Sequence, residues 1–128
     1  MSRTNWSALI LALLAILLSA WVSLNIYEGL AQLEDEYAYQ WQAQVTAQGD
    51  LKIPSPPKAK GFIIPFVIDY QGERFGKYPL GWPVVLSFGE RLGLIRLVNP
   101  LLAGLAVWLT YRLGQKLLGV KVGLLAAG

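Results

Sequence analysis

From Ser7 to Ile26 the chain runs for twenty residues, SALILALLAILLSAWVSLNI, without a charge. A helix of that length rises about 30 Å, which matches the hydrocarbon core of a bilayer. The run therefore predicts an N-terminal membrane helix. A cleaved signal peptide shares the basic start, here Arg3. Its apolar core, however, is usually only ~7–15 residues and is closely followed by a small-x-small cleavage site, and this chain shows neither. Composition points the same way, because 55% hydrophobic residues and a mean hydropathy of +0.45 over 128 residues are too apolar for an ordinary soluble domain.

A second apolar stretch, Leu97 to Leu113, reads LVNPLLAGLAVWLTYRL. Asn99 and Pro100 stand where an N-cap and a first-turn proline would open a helix. All eight acidic residues lie between the two stretches, in the loop 27–94: Glu28, Glu34, Asp35, Glu36, Asp50, Asp69, Glu73 and Glu90. Arg3 precedes the first stretch, and Arg112, Lys116 and Lys121 follow the second. Positive charge gathers on the cytoplasmic side of membrane helices, so this pattern predicts a cytoplasmic N-terminus and an external loop in a multi-pass protein of the cell membrane. The net charge of +3 is scattered and serves topology better than nucleic-acid binding. A third apolar run begins near Val120, and its nine residues to Gly128 cover about 14 Å, half a bilayer. It reads as the opening of a third membrane helix in a protein that continues, with residues 1–128 as the N-terminal portion of its membrane domain. A short interfacial tail is the alternative.

Within the loop, Leu30, Leu33, Tyr37, Trp41 and Val45 recur at helical spacing, and Gly49 makes a fitting stop. Such a helix, starting just past a membrane span, suits the lipid interface. Ile53 to Pro57 is extended by its prolines, and Phe62 to Tyr70 followed by Gln71-Gly72 suggests a short hairpin. Pro83 to Leu94 is a second amphipathic stretch. The expected fold class is thus an all-α membrane protein. It has a membrane helix 7–26, an external loop with two amphipathic juxtamembrane helices and a short hairpin, a membrane helix 97–113, and a third helix beginning at about 120.

The chain has no histidine and no cysteine. Imidazole bases, imidazole-bound zinc, thiolate sites and disulfides are therefore excluded, and carboxylates, lysine, arginine and hydroxyls are left for any chemistry. Glu34, Asp35 and Glu36 stand together just outside the membrane. Adjacent carboxylates concentrate negative charge, which suits a general base or the holding of a divalent cation. The same residues suit a helix start, with Asp35 as cap and Glu36 in the first turn. Lys77-Tyr78-Pro79-Leu80-Gly81-Trp82-Pro83 joins a cation to aromatics, with Arg74 close by. Lysine and arginine bind phosphate, yet Lys, Tyr and Trp also anchor membrane interfaces without any ligand. Glu90-Arg91 reads as a solvated pair. No glycine-rich phosphate loop or nucleophile elbow occurs.

The order of these features resembles the N-terminal part of family 39 membrane glycosyltransferases of the GT-C class and their bacterial relatives, which include the protein mannosyltransferases and the lipid A aminoarabinose transferase. The resemblance rests on Asp35-Glu36-Tyr37-Ala38-Tyr39, Ala43, Gly49, Lys77-Tyr78-Pro79-Leu80-Gly81, Val98 to Leu102, and Tyr111-Arg112-Leu113 to Leu118-Gly119. Leu80 departs from it, since many relatives have a second proline there. The resemblance implies sugar transfer from a polyprenyl-phosphate donor to an acceptor at the outer membrane face. On it, Asp35 matches the catalytic aspartate and Glu36 its neighbour, and Lys77 a basic position near the donor phosphate, with Tyr78 in the same site; Arg74 joins the donor-phosphate candidates by its nearness in sequence and its bidentate chemistry. The resemblance assigns no metal ligand and leaves open a divalent cation at the carboxylates. Family members enclose the donor lipid among many membrane helices, so residues 1–128 alone are expected to be inactive. The competing expectation is a non-catalytic membrane scaffold or lipid-binding protein.

Overall fold

The computed structural model describes residues 3–128, with side chains from Asn5 onward. The chain is mostly helical but also carries a three-stranded sheet, which corrects the all-α expectation. It forms two compact units, Leu30–Ile95 and, separately, the chain up to Gly29 combined with Arg96–Gly128.

The second of these units is built from helices. Helix α1 spans Arg3–Trp21 and continues as a π-helical turn, Val22–Ile26. Asn25 explains the change of pitch: its side-chain amide donates to the Trp21 carbonyl at 3.0 Å, the acceptor its own N–H would use in an α-helix. The Tyr27 N–H then bonds the Val22 carbonyl, five residues back. Asn5–Ile26 is the one helix among the described residues long and apolar enough to cross a membrane, with a mean hydropathy of 2.4 and only 11% of its apolar window buried. Ala8 and Ala12 are its buried side chains, whereas Leu13, Leu14, Leu17, Leu18 and Trp21 face outward.

Helix α4 spans Ile95–Leu118, two residues earlier and five later than the apolar stretch. Pro100 lies inside it and is fully buried. Asn99 is therefore not an N-cap, and the carbonyl of Arg96 loses the N–H that Pro100 lacks. The helix starts early because a turn at Gly93 and Leu94 has already closed the preceding helix. By itself α4 is not apolar enough to count as a span. Helix α5, Val120–Ala127, follows Gly119, whose φ of +92° opens the reversal between the two helices.

These helices meet at their smallest residues. A Cβ on Gly104 would lie 2.3 Å from Ile16 Cγ1 and 2.9 Å from the Ala12 carbonyl oxygen. One on Gly123 would lie 2.6 Å from the Gln115 nitrogen and 2.7 Å from the Tyr111 carbonyl oxygen. Such backbone-to-backbone approach is the usual way apolar helices pack without a hydrophobic gradient between them. A buried polar chain crosses the same interface: Gln115 Nε2 donates to the Tyr111 hydroxyl at 3.0 Å, which donates to Asn5 Oδ1 at 2.7 Å. Tyr111 is wholly inaccessible, so its hydroxyl requires these partners.

The Leu30–Ile95 unit combines α2, Glu34–Ala47, and α3, Gly81–Arg91, with strands β1, Ile53–Pro54, β2, Val67–Tyr70, and β3, Glu73–Gly76. The sheet is antiparallel in the order β1-β3-β2. Gln71 and Gly72, at φ +50° and +80°, make the tight turn of the expected hairpin. The hairpin starts later than Phe62, because Pro65 and a left-handed Phe66 delay β2 to Val67. The third strand comes from the proline segment, where the Gly72 carbonyl accepts from the Ser55 N–H at 2.9 Å.

Helices α2 and α3 end alike. In α2 the Gly49 N–H reaches the Thr46 carbonyl at 3.0 Å and that of Asp50 the Val45 carbonyl at 3.3 Å; in α3 Gly93 reaches Glu90 at 3.0 Å and Leu94 reaches Gly89 at 2.7 Å. Both are glycine-closed Schellman ends. Arg91 Nε donates to the Ala47 carbonyl at 2.8 Å, satisfying another open group of α2. It is thus a cap on the neighbouring helix rather than the solvated partner of Glu90.

The packed face of α2 also differs from the apolar face in the sequence. Ala38, Gln42, Ala43 and Val45 are buried, and α3 supplies Pro83, Leu86, Ser87 and Gly89 to its own buried face. Leu30 and Leu33 precede the helix, and they and Tyr37 remain exposed. Small residues permit close helix approach, so size overrode hydrophobicity in choosing the inner face.

Candidate functional site

Helix α2 begins after Leu33, which has no side chain able to cap it. Glu36 folds back over the helix start instead. Its Oε2 accepts from the Gln32 N–H at 2.7 Å, one residue before the cap position. Asp35 is therefore not the cap. It stands half-buried in the first turn and makes no hydrogen bond or ion pair among the described residues. Glu34, Asp35 and Glu36 occupy successive helical positions, which point about 100° apart. Accordingly, no group of three carboxylates that could hold a metal ion occurs among the described residues.

One turn beyond Asp35, on the same face of α2, lies Tyr39. Its ring packs against Tyr78 with centroids 4.9 Å apart, and Phe66 meets Tyr78 edge-on at 5.5 Å. Burial, and then the charge of Asp35 and the neighbouring Tyr39, push the Tyr78 phenol above its usual range. The hydroxyl thus stays protonated as a donor, and Asp35 is near enough for its charge to act on it. Lys77 is exposed, with Nζ 5.2 Å from the centre of the Phe66 ring. Phe66 has a φ of +58°, a strained conformation for an aromatic residue, while its carbonyl accepts from the Lys77 N–H at 2.9 Å.

Gln42 ties the two halves of the cluster together. Its Oε1 accepts from the Gly76 N–H at 2.7 Å and its Nε2 donates to the Leu51 carbonyl at 2.9 Å, the side chain being almost wholly buried. A Cβ on Gly76 would lie 3.0 Å from that oxygen, so glycine suits the contact. Tyr78 follows closely and packs on Tyr39 at the Asp35 face of α2, and Lys77 joins the cluster through the Phe66 ring.

Arg74 lies elsewhere. It is 6% exposed and grips Asp69 through Nε at 2.8 Å and Nη2 at 2.7 Å across the hairpin. That bond holds the Asp69 carboxyl below its ordinary range and raises the guanidinium. Buried, and with Nε and Nη2 given to Asp69, Arg74 braces the sheet.

Of the sequence candidates, the fold therefore gathers Asp35, Lys77 and Tyr78, turns Glu36 back onto the Gln32 N–H and withdraws Arg74. It adds Tyr39, which the spacing from Asp35 could have flagged, and Gln42 and Phe66, for which the sequence carries no signal. Together these provide a free carboxylate, a protonated phenol, a cation and aromatic faces, a set suited to a polar ligand with an anionic group. Compared with protein-family models, curated proteins and solved structures, the chain matches none.

Proposed function

We propose that this chain contributes the donor-binding and acceptor-activating residues of a GT-C-type membrane glycosyltransferase, working at the outer face of the cell membrane on a polyprenyl-phosphate sugar. The reading rests on one observation: Asp35 keeps an uncommitted carboxylate beside Tyr78 and Tyr39, in the cluster that also holds Lys77. In this reading α1 and α4 cross the membrane, the N-terminus is cytoplasmic, and Leu30–Ile95 is external, as the charge distribution favours.

The acceptor hydroxyl attacks the anomeric carbon of the sugar and gives its proton to Asp35. The bond from that carbon to the phosphate oxygen breaks, and the polyprenyl phosphate leaves with the electron pair. Lys77 and the Tyr78 hydroxyl stabilise the charge that develops on the leaving phosphate. Tyr39 and Phe66 hold Tyr78 in place. The test is transfer from a labelled polyprenyl-phosphate sugar in membranes carrying the intact protein. Asp35→Asn abolishes transfer at normal insertion, and Lys77→Ala weakens donor use; undiminished transfer by Asp35→Asn overturns the proposal.

A second reading, a lipid-binding module without catalysis, is favoured by the outward-facing Leu30, Leu33, Tyr37, Phe62 and Ile63. It predicts vesicle binding that survives Asp35→Asn and is lost on replacing these apolar residues with serine.

A further inference from the structure

Along one side of α4, Trp108, Leu109, Arg112, Leu113, Gln115 and Lys116 line an open groove of about 630 Å³. Arg112 and Lys116 are one turn apart, and Trp108 lies one turn before Arg112, so the three stack along one helical face. The Arg112 guanidinium sits over the Trp108 ring, 5.6 Å from its centre, an attraction that favours this placement of the side chain. Gln115 also lines the groove and is anchored by its bond to the buried Tyr111 hydroxyl. Leu109 and Leu113 are exposed beside the cations. No carboxylate lines the groove, and in the whole helical unit the sequence places a single acidic side chain, Glu28.

We propose that this groove binds an anionic phospholipid, with the headgroup phosphate held between Arg112 and Lys116 and an acyl chain along Leu109 and Leu113. The two cations supply charge complementarity, and Arg contributes a bidentate fork that a zwitterionic lipid's own ammonium would oppose. The apolar rim beside them selects a lipid over a free phosphate ion, because only a lipid covers both halves. This site is distinct from the Asp35 cluster and requires only that α4 lie in the membrane, which is part of the reading above.

The experiment is native mass spectrometry of the intact protein released from bilayers of phosphatidylcholine mixed with phosphatidylglycerol, alongside alkaline carbonate extraction of the membranes. Bound phosphatidylglycerol is expected in excess of its share of the bilayer. Arg112→Gln with Lys116→Gln lowers its affinity about twenty-five-fold, near fivefold per cation removed. Trp108→Leu lowers it at unchanged charge, whereas Lys121→Gln, outside the groove, leaves it unchanged. Equal retention of both lipids, an effect of Lys121→Gln as large as that of Arg112→Gln, or displacement of the lipid by inorganic phosphate would each overturn the proposal. Extraction of the protein by carbonate would overturn the membrane placement of α4 as well; a protein that resists extraction but shows no lipid preference sinks the groove alone.

Discussion

Within each of the two units of this protein a different kind of contact stands out. In the helical unit, contact is made where side chains are missing: Gly104 against Ile16 and Ala12, Gly123 against Gln115 and Tyr111. In the Leu30–Ile95 unit, contact is made through polar groups that reach across gaps: Gln42 to Gly76 and Leu51, Arg91 to Ala47, Arg74 to Asp69. Added volume should therefore damage the first unit most, and removed hydrogen-bond partners the second. Apolar helices gain from close backbone contact and a few internal hydrogen bonds, whereas a unit rich in loops must satisfy many backbone groups.

The largest effect is expected from Gly123→Leu, which drives a side chain into the backbone of α4. Overpacking by even a methyl costs about 1–3 kcal/mol, and leucine exceeds that. Detergent-solubilised protein should lose its α4–α5 packing, read as loss of protection in hydrogen exchange over residues 111–127; unchanged protection would mean that the glycine contact does not hold these helices. Gln42→Leu comes next. It strands the Gly76 N–H and the Leu51 carbonyl at about 1–3 kcal/mol each. Exchange across residues 73–78 should accelerate by tenfold or more, since about 1.4 kcal/mol is a factor of ten. The same exchange measurement separates the units, because Gln42→Leu should leave residues 111–127 untouched.

Smaller effects come from titration. The folded-state pKa of Asp69 lies below its unfolded value, so the Arg74 pair contributes stability above the ordinary carboxylate range and loses it as pH falls through the lowered pKa. Acidification should loosen the hairpin, detected by NMR shifts of residues 67–76, and Asp69→Asn should remove that pH dependence. Tyr78 runs the other way: its raised pKa gives stability that is present below the unfolded value and lost as pH rises through the folded one. Asp35→Asn should bring the Tyr78 titration back toward the usual tyrosine range in ultraviolet absorbance. An unmoved Tyr78 would show that the two do not share a site.

Local chemistry alone accounts for much of the fold. The twenty-residue apolar run, the glycine stop at Gly49, the Gln71-Gly72 turn, the helix near Val120 and the pairing of Lys77 with Tyr78 are all legible in the sequence. Other features mislead in the same local way. Asn99-Pro100 has the form of a helix start but lies within α4, and Tyr37 has the form of a core residue but is exposed. Asp35 has the residue type of a cap but lies in the first turn, because Leu33 occupies the cap position.

By itself the sequence determined the membrane-length apolar helix, the absence of histidine and cysteine chemistry, and the confinement of every acidic residue but Glu28 to the Leu30–Ile95 unit, because these depend on composition and on periods of a few residues. Only the tertiary structure decided which carboxylate is free and which arginine is occupied. Gln42 meets Gly76 across thirty-four residues and Asn5 meets Tyr111 across one hundred and six. Partners that distant leave no periodic trace, and it is the Gln42–Gly76 pairing that brings the segment of Lys77 and Tyr78 onto α2, whereas Arg74 is withheld inside its own hairpin by Asp69.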